Sequence, residues 1–528
     1  MSMLKFNWDG GYSLSSYEMA ILAGLLTSAG LLLIWVWPRS KEPSIFHLVK
    51  DGNSYETLAI NFKKRFQCEA RKMIDLGFSN SRKAFRMDTL GASLVVVSRD
   101  NASFIRNHPN LSFGKVIDEV FGDRVPGLDP FKVEPGLSTI WTDIINGKLT
   151  PALRTITGLI SEESANALKG KWGEETDWHE ITLKPTILEI VAQVTARLFV
   201  GEDLCHDPTW LRITVDYTVN LFVAAAILRV FPRFLRPIAP WVVPQLRNIR
   251  SMFGKASKKI MPVLEERRKR RKVLAEQGEA APQYHDVMEW AEQVASGRPY
   301  NPINIQLGFS LAAIHTTSDL LVQVIFDLCE KEDLIPDLRN EIIRVIQEDG
   351  WQKSALHKLR LMDSVLKESQ RLKPVAIVAM NRVTEQKVRL PDGTEIPKNT
   401  SIAVSNSHMW SADSSVYPNA DEFDGYRFAK MREEPGNENT AQLVTTSVDH
   451  LGFGLGQHAC PGRFFAAHEV KVVMCHIIMK YDIKFLDDQR RHPRVRRYGI
   501  NLLSDHQGKV LIRRRKEEIS LDQGQFVA

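Results

Sequence analysis

The length, composition and charge of the chain exclude several classes of protein. With 528 residues, of which 44% are hydrophobic and 25% charged, it is globular rather than disordered and long enough for one large domain or two or three ordinary ones. The net charge of +6 is mild for this length and no nucleic-acid-binding motif accompanies it, so we expect no nucleic-acid partner. The five cysteines are scattered, odd in number and without CxxC spacing, which argues against a disulfide framework or a zinc site and favours a reducing compartment.

One long uncharged segment lies near the N-terminus. Residues 19–37 contain no charged side chain, and a helix of this length spans about 28 Å, close to the hydrocarbon core of a bilayer. Trp35 and Trp37 stand where an interfacial aromatic belt is typical, and Arg39 and Lys41 follow them. This small positive bias places the body of the protein in the cytosol.

We expect this segment to be a retained membrane anchor rather than a cleaved signal peptide, because the apolar run is long and lacks a clear small-x-small cleavage site. The predicted organisation is a lumenal N-terminus at residues 1–18, a transmembrane anchor at 19–37, a linker at 38–53 and one large domain at 54–528.

Beyond the linker the hydrophobic pattern is mostly helical, with short strands. Residues 104–148 are rich in proline and glycine and irregular, and a loop of this length is usually functional. The charge run at 265–272 is predicted to be a solvated helix end. Helices are predicted over residues 54–76, 99–107, 149–201 and 211–236, and a strand over 93–98.

A long apolar helix is predicted to begin at Asn301 and Pro302, because asparagine is a favoured N-cap and proline is favoured at the first helical position. The helix runs to about residue 330 and contains Ala-Ala-Ile-His-Thr-Thr at 312–317. Small residues here would let a planar ligand lie against the helix, and a hydroxyl could donate to a bound oxygen species. The two threonines could equally bond to carbonyl groups of the preceding turn and have no further role.

The following helix, residues 359–372, carries Glu368 and Arg371 three positions apart, so the two side chains share one face. An ordinary surface ion pair, which contributes little to stability, is the alternative to a buried pair. An apolar strand at 374–380 comes next, followed by Arg382 and by a hairpin at 388–397 with an Asp-Gly turn.

The most distinctive stretch is residues 453–462, Phe-Gly-Leu-Gly-Gln-His-Ala-Cys-Pro-Gly, which a helix follows. Its cysteine stands at the end of a glycine loop and the start of a helix. Backbone N–H groups and the helix dipole lower a thiol's pKa there and favour the thiolate. The glycines let the backbone approach a flat, bulky object. A buried structural cysteine is the alternative for an isolated residue.

Together these motifs resemble cytochrome P-450. The family's heme-binding signature, FxxGxxxCxG, matches residues 453–462, and the central-helix threonine, the ExxR pair and a Phe-x-x-x-Arg-Phe segment at 423–428 precede it in the family order. The amino-acid sequences of these segments resemble those of fungal family members that act in secondary metabolism, in the ent-kaurene-oxidase-like group. The resemblance implies a mainly α fold with small β-sheets, a triangular helical domain plus a β-rich part, preceded by a single transmembrane helix.

The resemblance also implies heme b, iron protoporphyrin IX, as the cofactor, with Cys460 as the axial thiolate ligand of the iron. His458 stands where the family most often has an arginine facing a heme propionate, and Arg382 is expected to pair with a propionate. The family's usual arginine-bearing propionate helix is not apparent, and Lys148 and Arg154 are the candidates for its role. The implied cofactor-binding residues are Cys460, Phe453, Gly454, Gly456, His458, Gly462 and Arg382.

The central-helix motif implies that Thr316 is the alcohol that helps protonate iron-bound dioxygen. His315 replaces the family's acid, and it could relay protons or leave their delivery to water. Glu368, Arg371 and Arg427 are implied to form a structural network. The apolar residues expected to line the substrate pocket are Leu311, Ala312, Ile314, Val375, Ala376, Ile377 and Val378.

The implied function is that of an NADPH- and O2-dependent monooxygenase, anchored in the endoplasmic reticulum membrane by a single span with its catalytic domain in the cytosol. Because no flavin or nucleotide-binding fingerprint is apparent, we expect electrons from a separate FAD/FMN enzyme, NADPH–cytochrome P-450 reductase, with cytochrome b5 as a further candidate partner.

The apolar pocket residues favour a large hydrophobic substrate, and the likeness suggests a terpenoid: a diterpene, indole diterpene or meroterpenoid. A polyketide or an alkaloid is the alternative substrate. The alternative activity is that of a reductase-independent heme-thiolate isomerase or dehydratase, against which Thr316 and the predicted anchor argue.

Overall fold

The computed structural model describes the chain from residue 59 onward, with gaps. The predicted lumenal segment, membrane anchor and linker lie outside the described residues. The residues that the structure describes all belong to one compact unit, Leu48–Ala528. The described residues are 59–81, 83–89, 93–121, 130, 137–230, 236, 238–412, 414–486 and 493–521.

The described chain is mostly helical, as the sequence predicted. The helix at Leu137–Ile144 is extended by a π-helical turn, Ile145–Leu149, and by a further short turn, Thr150–Ala152. The helices, numbered in chain order, are α1 (Ala59–Asn80), α2 (Ala102–Ile105), α3 (Gly114–Phe121), α4 (Leu137–Ile144), α5 (Thr157–Trp172), α6 (Leu183–Phe199), α7 (Pro208–Val230), α8 (Ala239–Val242), α9 (Pro244–Glu276), α10 (Val287–Ala295), α11 (Pro302–Glu330), α12 (Leu334–Asp349), α13 (Lys353–Lys358), α14 (Arg360–Leu372), α15 (Arg427–Glu433) and α16 (Arg463–Lys480).

Helix α11 is the central helix, and its start agrees with the sequence prediction. The Asn301 side chain accepts hydrogen bonds from the backbone N–H groups of Ile303 and Asn304, and Pro302 occupies the first turn. These bonds satisfy N–H groups of the first helical turn, which have no acceptor within the helix. Most side chains of α11 are buried, because the helix packs against α6, α7 and α14.

The strands of the described chain form small sheets. They are β1 (Ala84–Asp88), β2 (Ser93–Val97), β3 (Leu111–Ser112), β4 (His179–Thr182), β5 (Val378–Thr384), β6 (Val388–Arg389), β7 (Glu395–Ile396), β8 (Ser401–Ser405), β9 (Tyr481–Lys484), β10 (Arg496–Tyr498), β11 (Asn501–Leu503) and β12 (Lys509–Arg514). The largest sheet has the strand order β1-β2-β8-β5-β3, and a second sheet of three strands has the order β4-β12-β9. Strands β2 and β8 pair in parallel, whereas β5 pairs with β8 and β3 antiparallel.

Four predicted elements differ from the structure. The stretch predicted to be irregular, 104–148, contains the helices α3 and α4 and a π-helical turn. The helix predicted over 149–201 is interrupted by β4, because that segment pairs with the distant strand β12. The strand predicted over 374–380 starts later, at Val378, since the residues before it bond to the chain around β11 instead. The charge run at 265–272 lies inside α9 and is not wholly solvated, because Arg267 is buried and bonds to Asp203 and Asp286.

Hydrophobic packing divides the interior into regions. The main core surrounds α11 and α16, a second region lies between α7 and α9, and a third joins α1 to β1 and β2. By length and composition, two described helices could cross a membrane, Pro208–Leu228 and Pro302–Glu330. In the second of these, 67% of the most apolar window is buried inside the protein, as in the core helix of a globular domain.

Candidate active site

The loop that carries Cys460 is closed by its own backbone. The Cys460 N–H donates to the Phe453 carbonyl across 2.8 Å, and α16 begins three residues after the cysteine. Gly454 and Gly456 have φ angles of +73° and +78°, which side-chain-bearing residues rarely adopt. A Cβ on Gly456 would also lie 2.6 Å from the Asn107 side chain. Both glycines are therefore required by the shape of the loop.

Cys460 is an exposed residue whose sulfur is largely surrounded by protein. Its side chain has exposed surface, yet protein surrounds the sulfur closely enough that burial is the largest influence on it and raises the pKa of the thiol. The N–H groups of Gly462 and Arg463 and the charge of Arg463 lower that pKa, but they are outweighed. The expectation that loop and helix together would lower the pKa was wrong for the protein without cofactor, because desolvation exceeds the favourable dipoles.

An open stripe interrupts the buried surface of the central helix. Ala312 and Thr316 are exposed although most residues around them on α11 are buried, and their spacing of four places them on one face. The Thr316 Oγ1 donates to the Ala312 carbonyl across 2.8 Å, which is the bond to the preceding turn that the sequence left open. The hydroxyl oxygen remains able to accept a hydrogen bond from a ligand in the open space.

His315 lies at the flank of this stripe and turns toward α7. Its Nε2 is 2.9 Å from the carbonyl oxygen of Val215, which requires Nε2 to be the protonated nitrogen. Burial lowers the pKa of His315, and the bond to Val215 only partly opposes this. The imidazole is therefore held neutral, with Nδ1 as its free lone pair.

Arg382 is a buried cation without an acidic partner. Its side chain is 2% exposed, Nη1 donates to the Asn381 carbonyl, and Nε has no hydrogen-bond partner. No carboxylate in the described part of the chain forms an ion pair with it. Burial lowers its pKa to about 10. Because an unpaired buried charge is costly, this guanidinium fits an anionic ligand.

His458 lies on the same side of the site as Arg382. Burial, and then the positive charge of Arg382, lower the pKa of His458. The Phe113 ring is near both groups, 5.7 Å from the Arg382 guanidinium and 5.6 Å from the His458 ring. Lys148, in contrast, donates to Gln293 on α10. An orphaned guanidinium beside an imidazole fits a ligand that carries carboxylates.

Glu368, Arg371 and Arg427 meet in one network. The Glu368 carboxylate accepts two bonds from Arg371, at 2.7 and 2.8 Å, and one from the Arg427 Nε at 3.0 Å. Glu368 and Arg371 have no exposed side-chain surface. Arg371 also donates to the carbonyl groups of Met409, Ala420 and Glu422, which lie in the segment that leads toward the cysteine loop.

The residues expected to line the pocket divide into two groups. Ala312 and Val375 are exposed, and Leu311 and Ala376 are half-buried. The other three, Ile314, Ile377 and Val378, have buried side chains, and their contact with substrate stays a prediction. Ile314 lies two positions from both Ala312 and Thr316, on the other side of the helix, and packs in the main core. Ile377 and Val378 pack in the region between α1 and β1-β2.

The structure also brings together polar residues that the motifs did not indicate. Asp319 is 5% exposed, and its Oδ1 accepts bonds from Lys184 at 3.0 Å and from the backbone N–H and hydroxyl of Ser504 at 2.8 and 2.7 Å. The one available signal was an acid inside an apolar helix, three residues after Thr316. Its partners are distant in the chain and could not be assigned.

The family is decided by comparison with known proteins. A model of the cytochrome P450 family matches residues 146–510. This chain belongs to the cytochrome P450 family. The predicted resemblance is thereby confirmed, and with it the expectation of an oxidoreductase of the heme-thiolate class. The implied cofactor is an iron heme.

This cytochrome P450 is similar to several fungal enzymes over most of its length. It is 43% identical to cytochrome P450 monooxygenase adrA of Penicillium rubens, over 96% of this chain and 98% of that protein. It is also 43% identical to cytochrome P450 monooxygenase esdpI of Penicillium shearii, over 90% and 92%. Cytochrome P450 monooxygenase trt6 of Aspergillus terreus is 41% identical, over 89% and 94%.

Proposed function

We propose that this cytochrome P450 is a membrane-anchored monooxygenase of fungal secondary metabolism that oxidises a large hydrophobic substrate, a terpenoid such as a diterpene, indole diterpene or meroterpenoid. The observation that carries this proposal is the open face of Ala312 and Thr316 on a helix in which most other residues are buried. That face combines a small apolar surface with one hydroxyl, which suits an apolar substrate beside an oxygen-handling site.

We assign the heme to the space beside Cys460. Cys460 would hold its iron through the sulfur, Phe453 and the glycines of the loop would contact the heme, and Arg382 with His458 would neutralise propionate charge. When bound, the heme supplies the activation of dioxygen and the oxidation of substrate. The unpaired Arg382 supports this assignment, because a propionate would be the carboxylate that it lacks.

Thr316 and His315 would handle the protons of the reaction. The Thr316 oxygen can accept a hydrogen bond from a proton donor while its own O–H donates to the Ala312 carbonyl. His315 would receive a proton at Nδ1, since Nε2 is committed to Val215. The chain would thus offer two groups that can bind or pass a proton, on the open stripe and at its flank.

Membrane association would come from the segment at 19–37, in the endoplasmic reticulum, with the catalytic domain in the cytosol. Exposed apolar side chains on the described surface support contact with a lipid surface. On α7 they are Val219, Phe222 and Val223, each more than two-fifths exposed, and on α8 they are Trp241 and Val242, each more than three-fifths exposed. Trp241 also stacks against Arg250, at 3.7 Å, an amphipathic pair typical of membrane interfaces.

Two electrons per turnover would come from NADPH through a separate FAD/FMN reductase, NADPH–cytochrome P-450 reductase, with cytochrome b5 as a second donor. Reductase dependence of turnover is therefore a direct test of the monooxygenase assignment. Turnover that proceeds without the reductase would instead indicate isomerisation or dehydration at the heme.

The first experiment is the carbon monoxide difference spectrum of the dithionite-reduced, membrane-bound protein. A strongly red-shifted Soret band is expected, because a thiolate on the iron donates electron density to it. The Cys460→Ala variant should lose that band. A band at the shorter wavelength of histidine ligation in the unmodified protein, or no change in the variant, would contradict the assignment of Cys460.

A further inference from the structure

Three side chains that can bind a metal ion meet outside the residues assigned to the heme, where α5 approaches the turn between α6 and α7. Glu163 lies on α5, and Cys205 and His206 are neighbours in the turn. One candidate ligand atom from each residue lies within 4.8 Å of the other two. The cysteine spacing in the sequence argues against a zinc site, but only the fold brings Glu163 to the other two residues.

The imidazole of His206 contacts both of the other groups. Its Nε2 is 2.8 Å from the Glu163 Oε1, and its Nδ1 is 3.6 Å from the Cys205 Sγ. Two ligand atoms of a tetrahedral zinc ion lie about 3.4–3.6 Å apart, as its bond lengths of about 2.0–2.3 Å require. Because the His206 side chain is 58% exposed, its ring can turn outward and offer one nitrogen to an ion between the three groups.

Glu163 is a buried carboxylate without a lysine or arginine partner in the described part of the chain. Its side chain is 4% exposed, and its Oε1 is held by His206 and by the Gln193 amide on α6. An outer-shell hydrogen bond of this kind orients the ligands of many metal sites. A buried carboxylate that is held by an amide and an imidazole is stabilised further by a cation.

The turn that carries the other two ligands is fixed on both sides. Before them, Asp203 accepts a bond from Arg267 on α9 at 2.8 Å. After them, Asp207 accepts a bond from Lys259, also on α9, at 2.6 Å and caps α7 through the Trp210 N–H. The ligands therefore stand on a preorganised turn, which favours a defined coordination geometry.

The three ligand types together favour zinc. Mg²⁺ and Ca²⁺ take oxygen ligands, whereas thiolate and imidazole suit Zn²⁺. Three protein ligands leave the fourth position of a tetrahedral ion to water. Burial raises the pKa of the Cys205 thiol to about 11, so zinc would displace the thiol proton to solvent as the zinc–sulfur bond forms.

We propose that Glu163, Cys205 and His206 form a Zn²⁺ site that clamps the turn before α7 to α5. An ion bound to all three would stabilise this arrangement, because separation of α5 from the turn would break its coordination. The clamp would restrain α7, which packs against the central helix α11. The proposal does not depend on the substrate or on the reaction at the heme.

The test uses the heme-loaded chain, purified in detergent without a polyhistidine tag and titrated with Zn²⁺ alone. Equilibrium dialysis with elemental analysis measures the affinity and the zinc bound per protein. Zinc K-edge X-ray absorption identifies its ligands, and the heme iron does not contribute there. We expect one zinc ion with one sulfur neighbour at about 2.3 Å. Saturating zinc without a sulfur neighbour would overturn the proposal.

Cys205→Ser should remove the sulfur neighbour from the zinc spectrum. The matched control is Cys68, an exposed free cysteine on α1. Cys68→Ser should keep both the sulfur neighbour and the affinity for zinc. If Cys68→Ser loses the sulfur signal instead, the ion binds elsewhere and the proposal is overturned.

His206→Asn keeps the proposal testable if the buried Cys205→Ser does not fold, because His206 is exposed. Zinc should bind to it more than about tenfold more weakly, since loss of even an outer-shell partner costs about 10–100-fold in affinity. The exposed His506 is the control, and His506→Asn should bind zinc as the unmodified protein does. An unchanged affinity in His206→Asn would overturn the site.

Amide hydrogen exchange tests the clamp itself. Zinc should slow exchange at residues 201–215 in the unmodified protein and should not do so in His206→Asn, because opening of the turn would require release of the ion. Equal exchange with and without zinc in the unmodified protein, at saturating zinc, would show that the bound ion does not restrain α7.

Discussion

Arg371 and Glu368 form a bidentate ion pair with no exposed side-chain surface, and Arg427 binds the same carboxylate from 59 residues away. Arg371 passes this constraint on, because it donates to three backbone carbonyl groups in the segment before α15. The network therefore ties α14 to the part of the chain that leads toward the cysteine loop.

Glu368→Gln should destabilise the protein by about 3–5 kcal/mol, because it leaves two guanidinium groups without their anionic partner in the interior. Urea unfolding of the purified protein and its heme content measure the effect. The exposed pair of Arg344 and Glu348 provides the control, and Glu348→Gln should change the unfolding free energy by less than about 0.5 kcal/mol. Equal changes in unfolding free energy for the two substitutions would show that the buried network contributes no more to stability than an exposed ion pair.

Arg382→Met should speed the loss of heme about tenfold, because a charge-assisted bond to a propionate is removed. The rate is measured by the transfer of heme to an excess of apomyoglobin. Arg389, which is exposed on β6, is the matched control, and Arg389→Met should leave the rate unchanged. A rate in Arg382→Met equal to that of the unmodified protein would remove Arg382 from the cofactor site.

Thr316→Ala should leave the carbon monoxide spectrum intact and raise the peroxide formed per NADPH several-fold, because the only hydroxyl on the open stripe is lost. The neighbouring Thr317 is buried, at 3% exposure, and provides the control. Thr317→Ala should leave peroxide formation as it is. No rise in Thr316→Ala would exclude this hydroxyl from proton delivery.

His315→Ala should lower the amount of product per NADPH, because it removes the Nδ1 atom that we propose passes protons to the site. The neutral ring can accept a proton there, and its bond to Val215 holds its orientation. His315→Gln, which can restore a donor to Val215 but cannot relay a proton through a ring, separates orientation from relay. Unchanged coupling in His315→Ala would mean that water delivers the proton.

Acid should destabilise the protein through His468. This residue bonds to the Thr157 hydroxyl at 3.0 Å, and burial, followed by the charges of Lys353 and Lys471, lowers its pKa to about 3. Because the unfolded chain binds the proton near pH 6.5 and the folded chain does not, stability is lost as the pH falls from about 6.5 toward 3. One such group contributes a slope of about 1.4 kcal/mol per pH unit.

His468→Gln should remove that share of the slope in unfolding experiments between pH 6 and 5, although it lowers stability at neutral pH. The exposed His506, in the turn after β11, is the control, and His506→Gln should keep the slope of the unmodified protein. A slope that His468→Gln leaves intact would place the acid sensitivity elsewhere.

The features that the sequence determined by itself are those that depend on neighbouring residues. Asn301 and Pro302 start the central helix because their chemistry caps it locally. Gly454 and Gly456 shape the cysteine loop because only glycine readily adopts their φ angles. The family resemblance was readable for the same reason, since each of its motifs is a short stretch of chain.

Tertiary structure decided what depends on burial and on distant partners. The packing of the helix buries Ile314 in the core and leaves Ala312 exposed, although both residues lie in one apolar run. Tertiary structure raised the pKa of the Cys460 thiol where local dipoles predicted a fall, because desolvation is set by everything that surrounds the sulfur. It also joined Asp319 to Ser504, 185 residues away. Helical periodicity cannot predict this pairing, because it shows on which face of a helix a residue lies but not which distant residue contacts that face.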